Sequence, residues 1–372
     1  MSRKYIFIAL FLLYGLLLQG QITGLSSLTR DLGNSPRAVA LGKANAGSAL
    51  TIFDGLSNPA LLVSEPSKYA FGYTHNNSLG GLVKFDQLIF AVKPDSSEFV
   101  FGFNAYRITN ANVFTSLNLV SGQNDIDFSA LELDNNTDFG FRILAGKTQT
   151  EKLSWGLEVN LEARSLARFA KAFSFGIDVG AVYKVDSVSA FSISIENVLG
   201  KYFLSNQNVS ILESSFLSSG NFLRLNSTFV QLPSLLSGYN RRLYSNKEGY
   251  FIDAIASLEI GFETTNTLIS SGRVGVNPLI GVEAGINKFL YLRGGFSDWQ
   301  RISRGTEGRD KITVNTSVGI GFTYKRVSLD YTISEFLRRA IPFQKHLVSL
   351  IYRLDGKSNQ NNNTRNNFLP RF

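Results

Sequence analysis

The chain has 372 residues, of which 44% are hydrophobic, 12% aromatic and only 18% charged. Soluble domains carry about 25% charged residues, so this composition suits a sheet with one face in lipid. The absence of cysteine excludes disulfides and lipid-modified cysteines. A net charge of +8 does not indicate nucleic-acid binding, because the basic residues are dispersed and form no nucleic-acid-binding motif. We expect them to contact anionic lipid head groups.

Residues 1–20 have the pattern of a secretory signal peptide. Arg3 and Lys4 precede an apolar run, and Gly20 ends it at a plausible cleavage site. The run is too short for a membrane-spanning helix, which needs about 20 apolar residues. No later stretch approaches that length, so the sequence predicts an exported protein without a helical span.

Residues 21–66 form a segment dominated by small side chains, densest between residues 35 and 62. Small residues suit a helix that packs in a confined space. The stretch closes on Asn58, Pro59 and Ala60, where the proline ends any helix and the asparagine caps backbone groups. The segment is either a surface helix of an α+β domain or a plug in a narrow β-barrel. In a plug, these three residues would direct the exit into the first strand.

From Lys68 onward, apolar and polar residues alternate with a period of two, which is typical of strands. The polar face is mostly Gly, Ser, Thr and Asn with isolated acids, as in a barrel lumen. A soluble sandwich would present a charged outer face instead. Fourteen segments within residues 67–355 show the pattern: 68–76, 86–94, 98–106, 137–147, 153–164, 173–184, 188–198, 227–242, 250–262, 274–286, 289–297, 311–324, 327–335 and 344–354.

The predicted connections are short after even-numbered strands, as at 185–187 and 325–326. They are longer after odd-numbered strands, as at 77–85, 107–136 and 165–172. Short periplasmic turns and long extracellular loops distinguish outer-membrane barrels. The fold class is therefore predicted as all-β: a 14-stranded antiparallel transmembrane β-barrel in the outer membrane of a Gram-negative bacterium, with the small-residue segment as an N-terminal plug.

Two irregularities interrupt this pattern. Pro233 lies inside the eighth predicted strand, where it cannot donate to the ladder, so it marks either a harmless bulge or a lateral opening in the wall. Loop 199–226 is unusually apolar, and it either folds over the barrel mouth or docks a partner. Phe203, Phe216 and Phe222 are the candidate anchors for docking. Residues 356–372 are an asparagine-rich tail that is expected to be disordered.

Three sequence stretches resemble the PorV/PorQ family, a branch of the FadL-like outer-membrane barrels. They are SPRAVALG…DGLSNPALL, FGIDVGAVYKVD…FSISIENVLG and LIGVEAGINKFLYLRGGF…ITVNTSVGIGFTYKRVSLDYTI. The resemblance implies a fourteen-stranded barrel with its N-terminal segment inside. It also implies a role in type IX secretion in Bacteroidetes-like bacteria, with translocon proteins, surface-attachment proteins and secreted cargo as partners. Lys43 and Asn45 depart from the family, which commonly has small or apolar residues there.

Three classes of function remain open. The first is a non-enzymatic barrel that docks proteins through extracellular loops, with outer-membrane lipid and lipopolysaccharide around it. The second is a FadL-type transporter that passes hydrophobic small molecules through the lumen and out sideways. An enzyme is disfavoured, because only His75 and His346 could serve as a base. No cofactor and no metal are expected. Glu158 and Glu162 are expected to form lumenal salt bridges with Arg142 or Arg293.

Overall fold

The structure, a computed structural model, describes residues 32, 35–95, 97–114, 133–167, 170–207, 228–262, 267, 269–271, 274–287, 289–302, 311–335, 337 and 344–354. The predicted signal peptide at residues 1–20, Phe216, Phe222 and the tail at residues 356–372 lie outside this part of the chain. No described helix is long and apolar enough to cross a membrane.

The described chain forms a closed antiparallel barrel with fourteen strand positions around its wall. Each position, here called a stave, is occupied by one strand or by two consecutive strands. The first and last strands pair with each other along their length, from Tyr69 opposite Leu354 to Asn77 opposite His346, which closes the wall. Strands β7 and β8 together form one stave, as do β9 and β10, and β12 is a short addition to β13. The strands are β1 Tyr69–Ser78, β2 Val83–Val92, β3 Phe99–Phe114, β4 Leu133–Thr148, β5 Leu153–Leu166, β6 Ala170–Lys184, β7 Ser189–Glu196, β8 Lys201–Gln207, β9 Thr228–Gln231, β10 Ser234–Ser245, β11 Phe251–Gly261, β12 Ile269–Ser271, β13 Val274–Ile286, β14 Leu290–Ile302, β15 Lys311–Tyr324, β16 Val327–Ser334 and β17 Lys345–Leu354.

Side chains alternate between the lumen and the outer surface, as the pleat requires. In β16, Leu329 and Tyr331 are exposed, whereas Ser328, Asp330 and Thr332 are buried. The outward side chains form an apolar band, which a barrel needs where it meets lipid. The predicted 14-stranded antiparallel barrel and the predicted location in the outer membrane of a Gram-negative bacterium are confirmed. The plug stays a prediction.

Several strands extend further than the hydrophobic pattern predicts. β3 continues to Phe114 and β4 begins at Leu133, because ladder hydrogen bonds do not require apolar side chains and continue above the apolar band. Two connections predicted as long are short, at residues 79–82 and 167–169. The first is a tight turn with positive φ at Leu79 and Gly80. The parity rule for loop length therefore fails at these two connections.

The segment before β1 is buried, and it is not the longer helix that its small residues suggest. It contains one short α-helix, α1 (Pro36–Ala40), followed by the 3₁₀ helices Asn45–Gly47, Ile52–Leu56 and Pro59–Ser64. The helix ends because Gly42 and Lys43 adopt positive φ angles of 61° and 60°, which an α-helix does not accommodate.

The long loops and the short turns are predicted to lie on opposite sides of the membrane. The chain has no native cysteine, so single cysteines can be placed at Ser121 or Thr306 in long loops and at Ser187 or Lys325 in short turns. On intact cells, a membrane-impermeant maleimide should label only the first pair, because short turns face the periplasm. Permeabilised cells provide the control in which all four sites react. Labelling of Ser187→Cys on intact cells would show that the barrel has the opposite orientation.

Candidate functional site

The candidate site is the lumen, which residues 35–66 occupy. Helix α1 packs against β14, β15, β16 and β17, and the 3₁₀ helix Asn45–Gly47 packs against β7, β10 and β11. The 3₁₀ helix Ile52–Leu56 contacts β1 and β2, and Pro59–Ser64 contacts β3, β4, β5 and β6. The segment therefore lies against the wall on every side of the lumen. Its action as a plug stays a prediction.

Glycines on the inner wall allow the backbone of this segment to approach closely. A methyl group added at Gly281 would lie 2.6 Å from the carbonyl oxygen of Leu41, and one at Gly319 would lie 2.6 Å from Cβ of Ala40. One added at Gly42 would lie 2.6 Å from the backbone nitrogen of Phe296. Glycines in the wall and in the segment thus let the two backbones come into contact.

A chain of buried charges attaches the segment to the wall. The Arg37 guanidinium lies 3.0 Å from Asp54 and 2.8 Å from Glu283. Glu283 also lies 3.3 Å from Arg293, which pairs in turn with Asp330. Burial by itself would lower the pKa of Arg37, but the charges of Asp54 and Glu283 raise it above its ordinary value. Arg37 is therefore a permanent cation in the lumen.

Asn58 joins the segment to the wall through its side-chain amide. The Oδ1 atom accepts a hydrogen bond of 3.0 Å from the backbone nitrogen of Ala60 and so caps the helix Pro59–Ser64. The Nδ2 group lies 3.2 Å from the carbonyl oxygen of Ala46 and 3.3 Å from that of Ala181 on β6. Asn58, Pro59 and Ala60 thus lie within the lumen.

The exit into β1 lies further along the chain than the sequence predicts. Six helical residues, Pro59–Ser64, follow Asn58 before the chain leaves the lumen. The residue at the exit is Glu65, whose carboxylate lies 3.2 Å from the Arg353 guanidinium on β17. Glu65, rather than Asn58, therefore holds the exit.

The two residues that depart from the family pattern both have specific partners. Lys43 lies 3.2 Å from Asp298 on β14. Asn45 donates a hydrogen bond of 2.9 Å to Asp54, the same carboxylate that pairs with Arg37. Small or apolar residues at these two positions could form neither bond. Lys43 and Asn45 therefore help to fix the segment in the lumen.

The lumenal acids are paired, although not always as predicted. Glu158 lies 3.6 Å from Arg142, in agreement with the prediction. Glu162 pairs with Arg164 and Lys201 instead of Arg293. Each carboxylate thus has its own cation, which is the arrangement of structural ion pairs.

Phe203 is buried rather than exposed, with only 2% of its surface accessible. It lies on β8, which pairs with β6 and so belongs to the wall. Its ring lies 4.9 Å from the Arg164 guanidinium and 5.6 Å from the Lys201 ammonium, in cation–π contacts. Phe203 therefore lacks the exposure that a docking residue requires. Docking by Phe216 and Phe222 stays a prediction.

Pro233 lies at a break in the wall. β7 ends at Glu196, opposite Ser234, and β8 resumes at Lys201, opposite Gln231. Residues 197–200 on one stave and residues 232–233 on the next make no ladder pairs. The two interruptions lie side by side, so they form one feature of the wall.

The fold of the chain is similar to that of several solved structures. No protein-family model and no curated protein sequence matches the chain. The toluene transporter TodX of P. putida aligns with a TM-score of 0.56 and 14% identity, over 87% of this chain and 99% of TodX. The monoaromatic hydrocarbon channel CymD gives 0.53 and 10%, over 88% and 99%. The toluene transporter TbuX of Ralstonia pickettii gives 0.52 and 12%, over 88% and 100%.

The chain shares the barrel fold of these proteins. At these identities the likeness concerns the fold alone. It supports the FadL-like part of the sequence resemblance, and the PorV/PorQ assignment stays a prediction. These neighbours are transporters and channels, not enzymes.

Two adjacent glycines of β14 test the fit between segment and wall. A side chain at Gly295 would collide with the backbone of Leu41 and Gly42, whereas one at Gly294 would meet nothing within 4 Å. Gly295→Leu should therefore lower the free energy of unfolding by about 1–3 kcal/mol or more, and Gly294→Leu should leave it unchanged. Urea titration of the folded, heat-modifiable form measures both. Equal stability of the two variants would contradict the close contact.

Proposed function

We propose that this protein transports hydrophobic small molecules across the outer membrane, with release sideways through the wall. The observation that carries the proposal is the break at residues 197–200 and 232–233. Two neighbouring staves lose their ladder there, while their remaining lengths stay paired. The known neighbours in structure carry toluene and monoaromatic hydrocarbons, and the same class of substrate is proposed here.

The backbone at the break differs from that of the surrounding wall. Asn197 and Gly200 have positive φ angles of 51° and 77°, and Pro233 has no N–H to donate. The Asn197 N–H donates to the Asp178 carboxylate at 2.6 Å instead of to a strand. The Val198 N–H also donates to the Ile177 carbonyl of β6 at 2.8 Å. The break is thus held by specific hydrogen bonds, so it is a built feature of the wall.

The break lies on the extracellular side of Asn58. Asn58 contacts β6 at Ala181, whereas residues 176–178 of β6, which pair with neither β7 nor β8, lie further toward the extracellular end. A molecule that enters from outside therefore reaches the break before it meets Asn58. Sideways release can therefore leave the Asn58 contacts in place, and the Arg37 ion pairs hold the segment to the wall.

Closing the break tests this route. Deleting Val198 and Leu199 together with Pro233→Val gives both staves the same number of residues and restores the missing donor. Uptake of radiolabelled toluene should fall to the level of cells lacking the protein. Pro278→Val is the matched control, because Pro278 lies in the continuous β11–β13 ladder opposite Leu258. Unchanged uptake by the closed variant would overturn the sideways route.

A second candidate is a docking component of type IX secretion. The PorV/PorQ resemblance supports it, and so does the segment that lies against the wall on every side, because a docking protein needs no path along its axis. We expect a deletion strain to retain cargo in the periplasm or release it unattached. Complementation with Phe216→Ser/Phe222→Ser should restore the barrel but not cargo attachment. Normal cargo location combined with lost toluene uptake would favour transport and exclude docking.

A further inference from the structure

The two histidines of the chain lie on the outer surface where the barrel closes. His75 belongs to β1 and His346 to β17, in neighbouring registers of the same ladder. His75 Nδ1 lies 2.7 Å from Asp86, and His346 Nδ1 lies 2.8 Å from the Tyr331 hydroxyl. Both imidazoles are therefore positioned by a neighbouring strand and not left as free surface side chains.

Two basic residues extend this group across the next strands. Lys84 on β2 lies opposite Asn77 of β1, and Arg107 on β3 lies opposite Asp86. Both side chains are exposed. Lys84 and Arg107 are diagonal neighbours on one face, a relation that places Cβ atoms about 7–8 Å apart or less. A single anionic group can therefore contact both.

His75, His346, Lys84 and Arg107 form a patch whose position along the strands indicates its depth in the membrane. It lies at the extracellular end of the β1–β2 hairpin, beside the short turn at residues 79–82. Exposed apolar side chains lie directly below it on the same strands, among them Phe71, Leu88 and Phe103. A lysine or arginine that faces lipid is destabilising at the membrane midplane but is tolerated near the interface. The patch thus lies at head-group level, above an acyl-chain surface.

We propose that Lys84, Arg107, His75 and His346 form a site for phosphate groups of lipid A, the membrane anchor of lipopolysaccharide. An arginine binds a phosphate through two parallel hydrogen bonds and a lysine adds a point charge. The apolar side chains below contact the acyl chains, which distinguishes a lipid from a soluble phosphate. The site does not depend on the transport proposed above.

Asp86 has a positioning role in this site. Its Oδ1 atom accepts a hydrogen bond of 2.7 Å from the Tyr73 hydroxyl and lies 2.7 Å from His75 Nδ1. It also lies opposite Arg107 in the ladder. One carboxylate therefore orders the Tyr73 and His75 side chains, and leaves Lys84 and Arg107 to face the ligand.

The test uses the full chain, purified in detergent and freed of lipid. Diphosphorylated lipid A is titrated in, and bound lipid is counted by native mass spectrometry. Lys84→Gln/Arg107→Gln should weaken lipid A binding about tenfold or more, because charge-assisted hydrogen bonds are lost. Lys84→Arg/Arg107→Lys keeps both charges and should retain binding. Lipid A stripped of its phosphates should bind the wild type and the double Gln variant equally.

Lys152→Gln/Lys325→Gln is the matched control, because it removes two exposed lysines from short turns at the opposite end. It should bind lipid A like the wild type, and heat-modifiable mobility should show that all variants are folded. Unchanged lipid A binding by the double Gln variant would overturn the proposal. Phosphatidylglycerol bound as tightly as lipid A, through the same two residues, would also overturn it.

Discussion

The lumen of this barrel depends on how one buried cation is neutralised. Arg37 contacts Asp54 within the N-terminal segment and Glu283 on the wall. Removing one partner of a buried ion pair costs about 3–5 kcal/mol, because the other charge is left uncompensated. The shape of the segment and its attachment to β13 therefore rest on the same guanidinium. Arg293 extends the dependence to β14 and β16 through Glu283 and Asp330.

The wall differs from one part of its circumference to another. Along β13, β14 and β15 the inner glycines meet the segment at contact distance, so the segment cannot shift there without a collision. Between the β7–β8 stave and the β9–β10 stave, residues 197–200 and 232–233 leave the ladder, and Asp178 accepts a hydrogen bond from the backbone of Asn197. The wall is thus tightly fitted to the segment in one part and irregular in another.

The period-two pattern was sufficient to predict the strands and the inward acids. Side chains on a strand must alternate, so Glu158, Glu162 and Asp178 could be assigned to the lumen from sequence. The pairing of Glu162 with Lys201 could not be predicted, because it depends on the register of β5 and β8 on either side of β6. Charge partners separated by hundreds of residues, such as Arg37 and Glu283, leave no local signal.

The burial of Phe203 was missed for a related reason. In β7 the inward residues are even-numbered, whereas in β8 they are odd-numbered. The same change occurs between β9, where Gln231 is inward, and β10, where Leu236 is inward. A slip of one residue exchanges the two faces of a strand. Reading residues 227–242 as one strand therefore assigns the wrong face above Pro233.

The contact between Glu65 and Arg353 has a consequence for how the molecule assembles. Glu65 immediately precedes the first strand, and Arg353 belongs to the last. These strands can meet only after every other strand is in place. The wall therefore closes around a segment that is already tethered to β1, and no threading through a finished ring is required. Completion of the membrane wall and seating of the lumenal segment are one event in biogenesis.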